Sequence, residues 1–379
     1  MDIQQFKWTE AGGWQPHELK MQDENPQLVL IFGATRRLKN KEIYHQIRNA
    51  FPESVLFGCS TAGEISDIYV TDDSVVVSAI KFKFTQVKVA KIKIQNMKDS
   101  YEAGKELTRQ IDKSGLKHVI VLSDGLKVNG SQLVQGLKEN LPKDVHITGG
   151  LSGDGPDFTE TLVIGNAPPE SGIISIIGIY GDKIRIGYGS VGGWDPFGPE
   201  RLITKSKGNV LYELDGKSAL ELYKKYLGEH AKGLPATALL FPLSLRTKEE
   251  ERGVVRTVLA INEKEQSMTF AGDLPEGSYA RLMKANFDRL IDGAMEAAKI
   301  NHESIDFCTP ELALLISCVG RKMVLKQRIE EEVEGVKEIL GEGTALTGFY
   351  SYGEISPFSP GAECELHNQT MTITTFVEI

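Results

Sequence analysis

An α/β protein of two interlocked domains, with mixed β-sheets and helices on their outer faces, is what this sequence predicts. Three observations carry that reading. Short apolar runs ending in glycine alternate with stretches of helical period, the pattern of strand–helix–strand units. The unit recurs with similar spacing between its two glycines: Gly33 to Gly58, Gly125 to Gly149 and Gly320 to Gly348. Two of these units run into nearly the same words, Gly58-Cys-Ser-Thr-Ala-Gly-Glu-Ile-Ser66 and Gly348-Phe-Tyr-Ser-Tyr-Gly-Glu-Ile-Ser-Pro357, and the middle one into a looser copy, Thr148-Gly-Gly-Leu-Ser-Gly-Asp154.

In chain order, Gln27 to Gly33 is an apolar run of strand length, and Asn40 to Phe51 is an amphipathic helix with Ile43 and Ile47 on one face. Ser54 to Gly58 is the next strand. Asp72-Asp73 punctuates before the strand Ser74 to Ile80. Val87 to Ile94 alternates with one slip at Ala90-Lys91, which predicts a bulge. Tyr101 to Ile111 and Ser131 to Leu141 read as helices around the buried strand His118 to Ser123, and Val145 to Gly149 delivers the second glycine turn. A β-rich stretch follows: Ile173 to Tyr180, Ile184 to Tyr188, Arg201 to Lys205 and Asn209 to Leu214, then a helix from Ser218 to Leu227. Val254 to Ile261 and Ser267 to Ala271 predict a hairpin, and Ser278 to Ile300 a long helix burying Leu282, Met283 and Phe287. The last unit has the strand Leu312 to Ser317 and a helix from Lys326 to Leu340, its apolar stripe Ile329, Val333, Val336 and Leu340 and its Glu-rich face solvated. Thr344 to Gly348 delivers the third turn, and Gln369 to Val377 closes the chain.

Composition narrows the function classes. The chain has 379 residues, 41% hydrophobic and 25% charged, which is ordinary globular composition. A net charge of −9 lacks the basic face that nucleic acid or an anionic membrane requires. No run approaches the ~18 apolar residues of a membrane span, and Met1-Asp-Ile-Gln-Gln-Phe-Lys has no signal-peptide character. The expected location is cytoplasmic. Four scattered cysteines form no CxxC, so no zinc site or disulfide framework is expected.

Several catalytic signatures fail on inspection. Gly187-Tyr-Gly-Ser-Val-Gly192 spells GxGxxG, but Trp194-Asp-Pro follows where a dinucleotide site needs a helix. Gly216-Lys-Ser218 lacks the first glycine of a P-loop, Leu211 standing there, and no serine sits in a GxSxG elbow. Cys59 or Ser60 at a strand end, near glycine N–H groups, could serve as a nucleophile in an acyl-transfer or hydrolytic enzyme, although no histidine accompanies either glycine–glutamate turn. Each first strand is followed by a basic residue, Arg36-Arg37, Lys127 and Arg321-Lys322, and ligands in open α/β sheets collect at strand carboxyl ends. The repeated turns are therefore the expected pocket: Cys59, Ser60, Thr61, Gly63 and Glu64 from the first, Gly149 and Gly150 from the second, and Tyr350, Ser351, Tyr352, Gly353 and Glu354 from the third. Glu64 and Glu354 would hold an ammonium group, and Arg321 or Arg36 a carboxylate, by a bidentate pair.

These words resemble a known family, the FIST proteins, named for F-box and intracellular signal transduction. Gly58-Cys-Ser-Thr-Ala-Gly-Glu-Ile65, Gly193-Trp-Asp-Pro-Phe-Gly198 and Glu213-Leu-Asp-Gly-Lys-Ser-Ala219 look like its N-terminal domain. Phe270-Ala-Gly-Asp-Leu-Pro-Glu-Gly277, Ser317-Cys-Val-Gly-Arg321 and Gly348 to Pro357 look like its C-terminal domain. The expected division is 28–220, 221–358 and a closing segment 359–379. The resemblance implies a non-enzymatic cytoplasmic sensor of a small ligand such as an amino acid. It carries no kinase, receptor or F-box stretch, so its output would pass to a separate partner such as a histidine kinase. Some bacterial members bind haem and sense nitric oxide, which makes His118 or His146 the candidate axial ligand here.

Overall fold

Strict alternation along the central strands decides which residues face inwards. In the computed structural model the strand Leu28–Gly33 is buried throughout, with Leu30 and Phe32 on one face and Val29 and Ile31 on the other. Leu116–Ser123 and Leu312–Cys318 are covered on both faces in the same way. The structure describes residues 1–21, 25–247 and 253–379.

Each of these strands pairs in parallel with the strand reached through a helix. Val55–Ser60 follows the helix Lys41–Ala50, His146–Leu151 follows Gly130–Glu139, and Ala345–Ser351 follows Ile329–Leu340. Each also pairs antiparallel with a later strand, Val75–Lys81, Ile173–Tyr180 or Met371–Glu378. Three six-stranded mixed sheets result. Their inner faces meet in one core containing Phe57, Leu122 and Ile316, with the rings of Phe32 and Phe349 stacked at 4.8 Å. Each such ring contributes about 1.5–3 kcal/mol by leaving water. The helices cover the outer faces.

The glycine turns carry the chain from one sheet to the next. Glu64–Ser66 leaves the first sheet and pairs with Ala345–Ser351 in the third. Gly353–Pro357 leaves the third and pairs with His146–Leu151 in the second. Val163–Gly165 comes from the second unit and pairs with Val55–Ser60 in the first. Three backbone hydrogen bonds close this cycle: Ala62 N–H to Tyr350 O at 2.8 Å, Gly153 N–H to Ser60 O at 2.9 Å and Tyr352 N–H to Leu151 O at 3.1 Å. The core is therefore a pseudo-threefold ring of three similar units. Glycine is required within each unit, where its two parallel strands pair: a Cβ at Gly58, Gly149 or Gly348 would fall 1.8, 1.9 or 1.8 Å from the carbonyl oxygen of Ile31, Val121 or Leu315.

A nine-stranded sheet, drawing its strands from between Asp195 and Lys284, packs with the helix Ala219–Leu227 around a separate core of Leu211, Tyr223 and Phe270. Here the sequence reading needs correction. The stretch from Ser278 to Ile300 is not one helix: Tyr279–Lys284 is a strand pairing with Leu243–Arg246, and the helix is Phe287–Ser304. Asn286 divides them, its side chain accepting the N–H of Arg289, and Phe287 on the first turn is exposed rather than buried. Val254–Arg256 pairs with Leu243–Arg246, so the hairpin consists of Val258–Asn262 and Ser267–Phe270. The expected bulge at Ala90-Lys91 is absent, since Gln86–Lys93 pairs with Ile173–Tyr180 in unbroken register. The helix expected from Lys326 to Leu340 begins only at Ile329, because a separate helix Val319–Leu325 ends where Lys326 takes φ 53, and Glu332 on its supposedly solvated face is fully buried. Among the described residues no helix is long and apolar enough to cross a membrane.

Candidate functional site

Because the three units are related cyclically, the carboxyl ends of their parallel strands gather at one end of the core. A cavity of about 590 Å³ opens there. Its walls come from all three units: Ala34 to Lys39 and Thr61 to Glu64 from the first, Asp154 to Glu160 from the second, and Val319, Lys322 and Met323 from the third. Asp72 and Asp73 complete it. Among the described residues, six carboxylates and three cationic side chains line the space, an excess of negative charge.

Lys322 spans the opening of the first turn. Its Nζ donates to Ala62 O at 2.8 Å, pairs with Asp72, and lies 5.7 Å from the centre of the Tyr350 ring. A Cβ at Gly63, whose φ is +146°, would fall 2.6 Å from that Nζ, so only glycine lets the lysine close over the turn. Arg36 and Arg37 both hold Asp73. Burial pushes the Asp73 carboxyl up, but those hydrogen bonds outweigh it and keep it below the ordinary carboxylate range. Asp154 organises the opposite wall, accepting the N–H groups of Phe158, Thr159 and Glu160 at 3.0, 2.7 and 2.8 Å and the Tyr352 hydroxyl.

The structure divides the residues singled out in the sequence. Thr61, Gly63, Glu64 and Arg36 border the cavity. Glu64 is nevertheless committed internally, accepting from the Thr61 hydroxyl and from the N–H and hydroxyl of Ser74 at 3.1 and 2.7 Å. Burial raises its carboxyl to about 7. Glu354 accepts from Ser351 at 2.6 Å and from the N–H and hydroxyl of Thr370 at 3.2 and 3.0 Å, and burial raises it to about 8. Arg321 is 0% exposed: its guanidinium pairs with Glu332 at 2.7 Å and donates to Leu290 O and Gly192 O. Glu332 also takes the Tyr350 hydroxyl at 2.7 Å. Gly353 lies beside Leu366, away from the polar cavity, and Tyr352 reaches that cavity's wall only through its hydroxyl, which meets Asp154 and Gly155 O. Gly149 and Gly150 are buried within the sheet contacts. The Cys59 thiol lies in the central core, its ionisation pushed well up by burial, and the Ser60 hydroxyl accepts the N–H of Leu162 at 2.8 Å.

His118 and His146 start parallel neighbouring strands, at the end opposite the cavity. His118 bonds Thr148 Oγ1 at 2.8 Å, and burial with repulsion from His146 lowers it to about 3. His146 lies against Tyr188, ring centres 4.8 Å apart. Lys322, Asp72, Asp154 and Asp157 were absent from the expected site. The first stood in a basic loop and Asp72 read as punctuation; only the approach of the three units makes them neighbours.

Residues 27–217 match the FIST N domain and residues 219–357 the FIST C domain. The chain belongs to the FIST family. FIST domains are sensor domains of signal transduction. An uncharacterised protein of Methanocaldococcus jannaschii is 24% identical over 366 residues, spanning 86% of this chain and 69% of its own. Among solved structures, a cyanuric acid hydrolase from A. caulinodans aligns over 100% of this FIST chain and 98% of its own at 6% identity, with a TM-score of 0.40. A second structure titled as a cyanuric acid hydrolase covers 100% and 99% at 7% identity, with a TM-score of 0.32. At those scores neither bears on the site.

Proposed function

We propose that this FIST protein is a non-enzymatic sensor whose polar cavity takes an amino acid or a related small amine-bearing metabolite. One observation carries the proposal: a cavity of about 590 Å³ at the strand carboxyl ends, with carboxylates in excess and Lys322 poised over a glycine turn. That size suits a small metabolite. Asp72, Asp154 and Asp157 offer the ammonium group its counter-charge, and Lys322 offers a cation to the carboxylate. The Thr61 to Gly63 turn supplies the floor. Because three units contribute walls, an occupant that draws Lys322 away from Asp72 changes how the first and third units meet, and a separate signalling protein, such as a histidine kinase, would read that change.

The test is thermal melting of the purified protein with each standard amino acid, a set of polyamines and a set of dicarboxylates. Amino acids are expected to raise the melting temperature, dicarboxylates to leave it alone. Lys322→Met should weaken the binding about ten- to a hundredfold by calorimetric titration, the effect of losing a charge-assisted hydrogen bond. No response to any amino acid, or an unchanged affinity in Lys322→Met, would overturn the reading.

A further inference from the structure

The words Phe270-Ala-Gly-Asp-Leu-Pro-Glu-Gly277 play no part in the polar cavity, yet they shape the seat of a buried cation. A Cβ at Gly272 would fall 2.7 Å from Nε of Arg256, so glycine makes room for that side chain. Arg256 is only 6% exposed. Its Nε donates to Asp273 O at 3.3 Å, and its Nη1 to Val255 O at 3.2 Å and to Leu366 O at 2.9 Å. The last bond ties the added sheet to the strand Cys364–His367 of the threefold core.

All three acceptors are neutral carbonyls, and among the described residues the guanidinium forms no ion pair. Burial lowers it to about 10, against the longer-range pull of Glu365 and Asp273. A buried charge normally has a partner in contact. The other cations nearby have theirs: Lys138 holds Glu363, and Arg246 holds Glu200 at 2.7 Å. Arg256 borders a cavity of about 320 Å³ between the helix Gly130–Glu139 and the strands Leu243–Arg246 and Val254–Arg256. Its Nη2 makes no hydrogen bond among the described residues and, unlike the sealed polar atoms, keeps surface open to that space.

We propose that this cavity binds a small monocarboxylic acid with an apolar body, its carboxylate taken by the Arg256 guanidinium. The planar fork suits a carboxylate. Val134, Leu245, Val254 and Leu366 supply apolar walls for the body, and the volume is that of a small-metabolite site. Asp273, Glu363 and Glu365 on the remaining walls repel a second negative charge, which disfavours phosphate and dicarboxylates. Because its walls come from both cores, the occupant bridges the threefold ring and the added sheet. This site stands independently of the amino-acid reading.

Benzoate, hexanoate, benzamide and inorganic phosphate are titrated into the protein at constant ionic strength, followed by calorimetry and ligand-observed NMR. Benzoate and hexanoate should bind saturably, and benzoate about ten- to a hundredfold more tightly than its neutral counterpart benzamide, the worth of a charge-assisted hydrogen bond. Arg256→Lys keeps the charge without the fork and should weaken benzoate about tenfold. Gln135→Trp, at an exposed position of the cavity wall, should fold normally and abolish benzoate binding by filling the space, which keeps the test open where Arg256→Lys does not fold. Lys322→Met should leave benzoate unaffected, which separates this site from the polar cavity. Absence of saturable binding by both carboxylates overturns the proposal. So does benzamide or phosphate binding as tightly as benzoate, full benzoate affinity in Gln135→Trp or in folded Arg256→Lys, or its loss in Lys322→Met.

Discussion

At the first turn, Glu64 accepts hydrogen bonds from Thr61 and Ser74, the latter just ahead of the strand Val75–Lys81. At the last turn, Glu354 accepts from Ser351 and from Thr370, just ahead of Met371–Glu378. The two carboxyls tie the start of the third strand of their own unit to the turn that leaves it. In the middle unit Asp124 does this work from a different place in the chain, accepting from Ser171 and from the N–H of Gly172, just ahead of Ile173–Tyr180. The surroundings differ where the wiring agrees. Gly63 lies under Lys322 on the wall of a charged cavity, whereas Gly353 lies against Leu366 and Leu151 beside an apolar one. A repeated sequence thus builds a repeated joint, and the neighbour brought in by another unit decides what that joint can bind.

The contrast is sharpest between adjacent cations, and it yields the largest expected effect. Arg321→Met leaves Glu332 buried without its partner, which should lower stability by about 3–5 kcal/mol in urea unfolding. A loss under about 1 kcal/mol would mean that the pair does not hold the third unit together.

The glycines come next. Gly63→Val forces a β-branched residue into positive φ and against Lys322, and should cost about 1–3 kcal/mol and abolish the amino-acid response. Gly353→Val meets Leu366 Cδ1 at 3.0 Å in ordinary backbone, so it should destabilise by overpacking yet keep that response. Equal loss of response in both would return the two turns to a single shared site.

The glutamates predict a pH dependence of definite sign. Their carboxyls are raised to about 7 and about 8 in the folded chain, so folding favours the protonated forms and the protein binds more protons than its unfolded state. Their contribution to stability is full below about pH 4 and falls as pH rises towards 8, at no more than about 1.4 kcal/mol per pH unit for each group. Urea midpoints from pH 5 to 9 should show the decline, with Glu64→Gln making it shallower up to about pH 7 and Glu354→Gln making it shallower up to about pH 8. A profile unaltered in both variants would show that the hydroxyl and N–H donors outweigh burial.

The smallest effect on stability is expected at Lys322. Its partner Asp72 is largely exposed, so Lys322→Met should change the unfolding free energy by less than about 1 kcal/mol while weakening ligand binding. A larger loss would make Lys322 a structural clasp between the first and third units.

Much of this was legible in the chain itself. The repeat spacing, the two-sided burial of Leu28–Gly33 and Leu312–Cys318, and the helix ending in Ala50 follow from apolar period and capping residues, which act over a few positions. The misread stretch from Ser278 shows the limit. Leu282 and Met283 satisfy a helical period as well as a strand, and pairing with Leu243–Arg246 decided for the strand. In the site, glycine and glutamate marked the turns correctly as special positions, but nothing local told Arg321 from Lys322. One points into Glu332 on its own unit, and the other reaches Ala62, 260 residues away.

By itself, the sequence determined the three units, their glycine-closed turns and the family to which the chain belongs. Those depend on backbone conformations and periodicities that each segment carries alone. Only the tertiary structure decided that the turns exchange strands between sheets, that their glutamates are tied to strand starts, and that one turn borders a charged cavity and another an apolar one. The physical reason is that burial and hydrogen-bond partners come from segments distant in the chain. A carboxylate or a lysine acquires its chemistry only when those segments close around it.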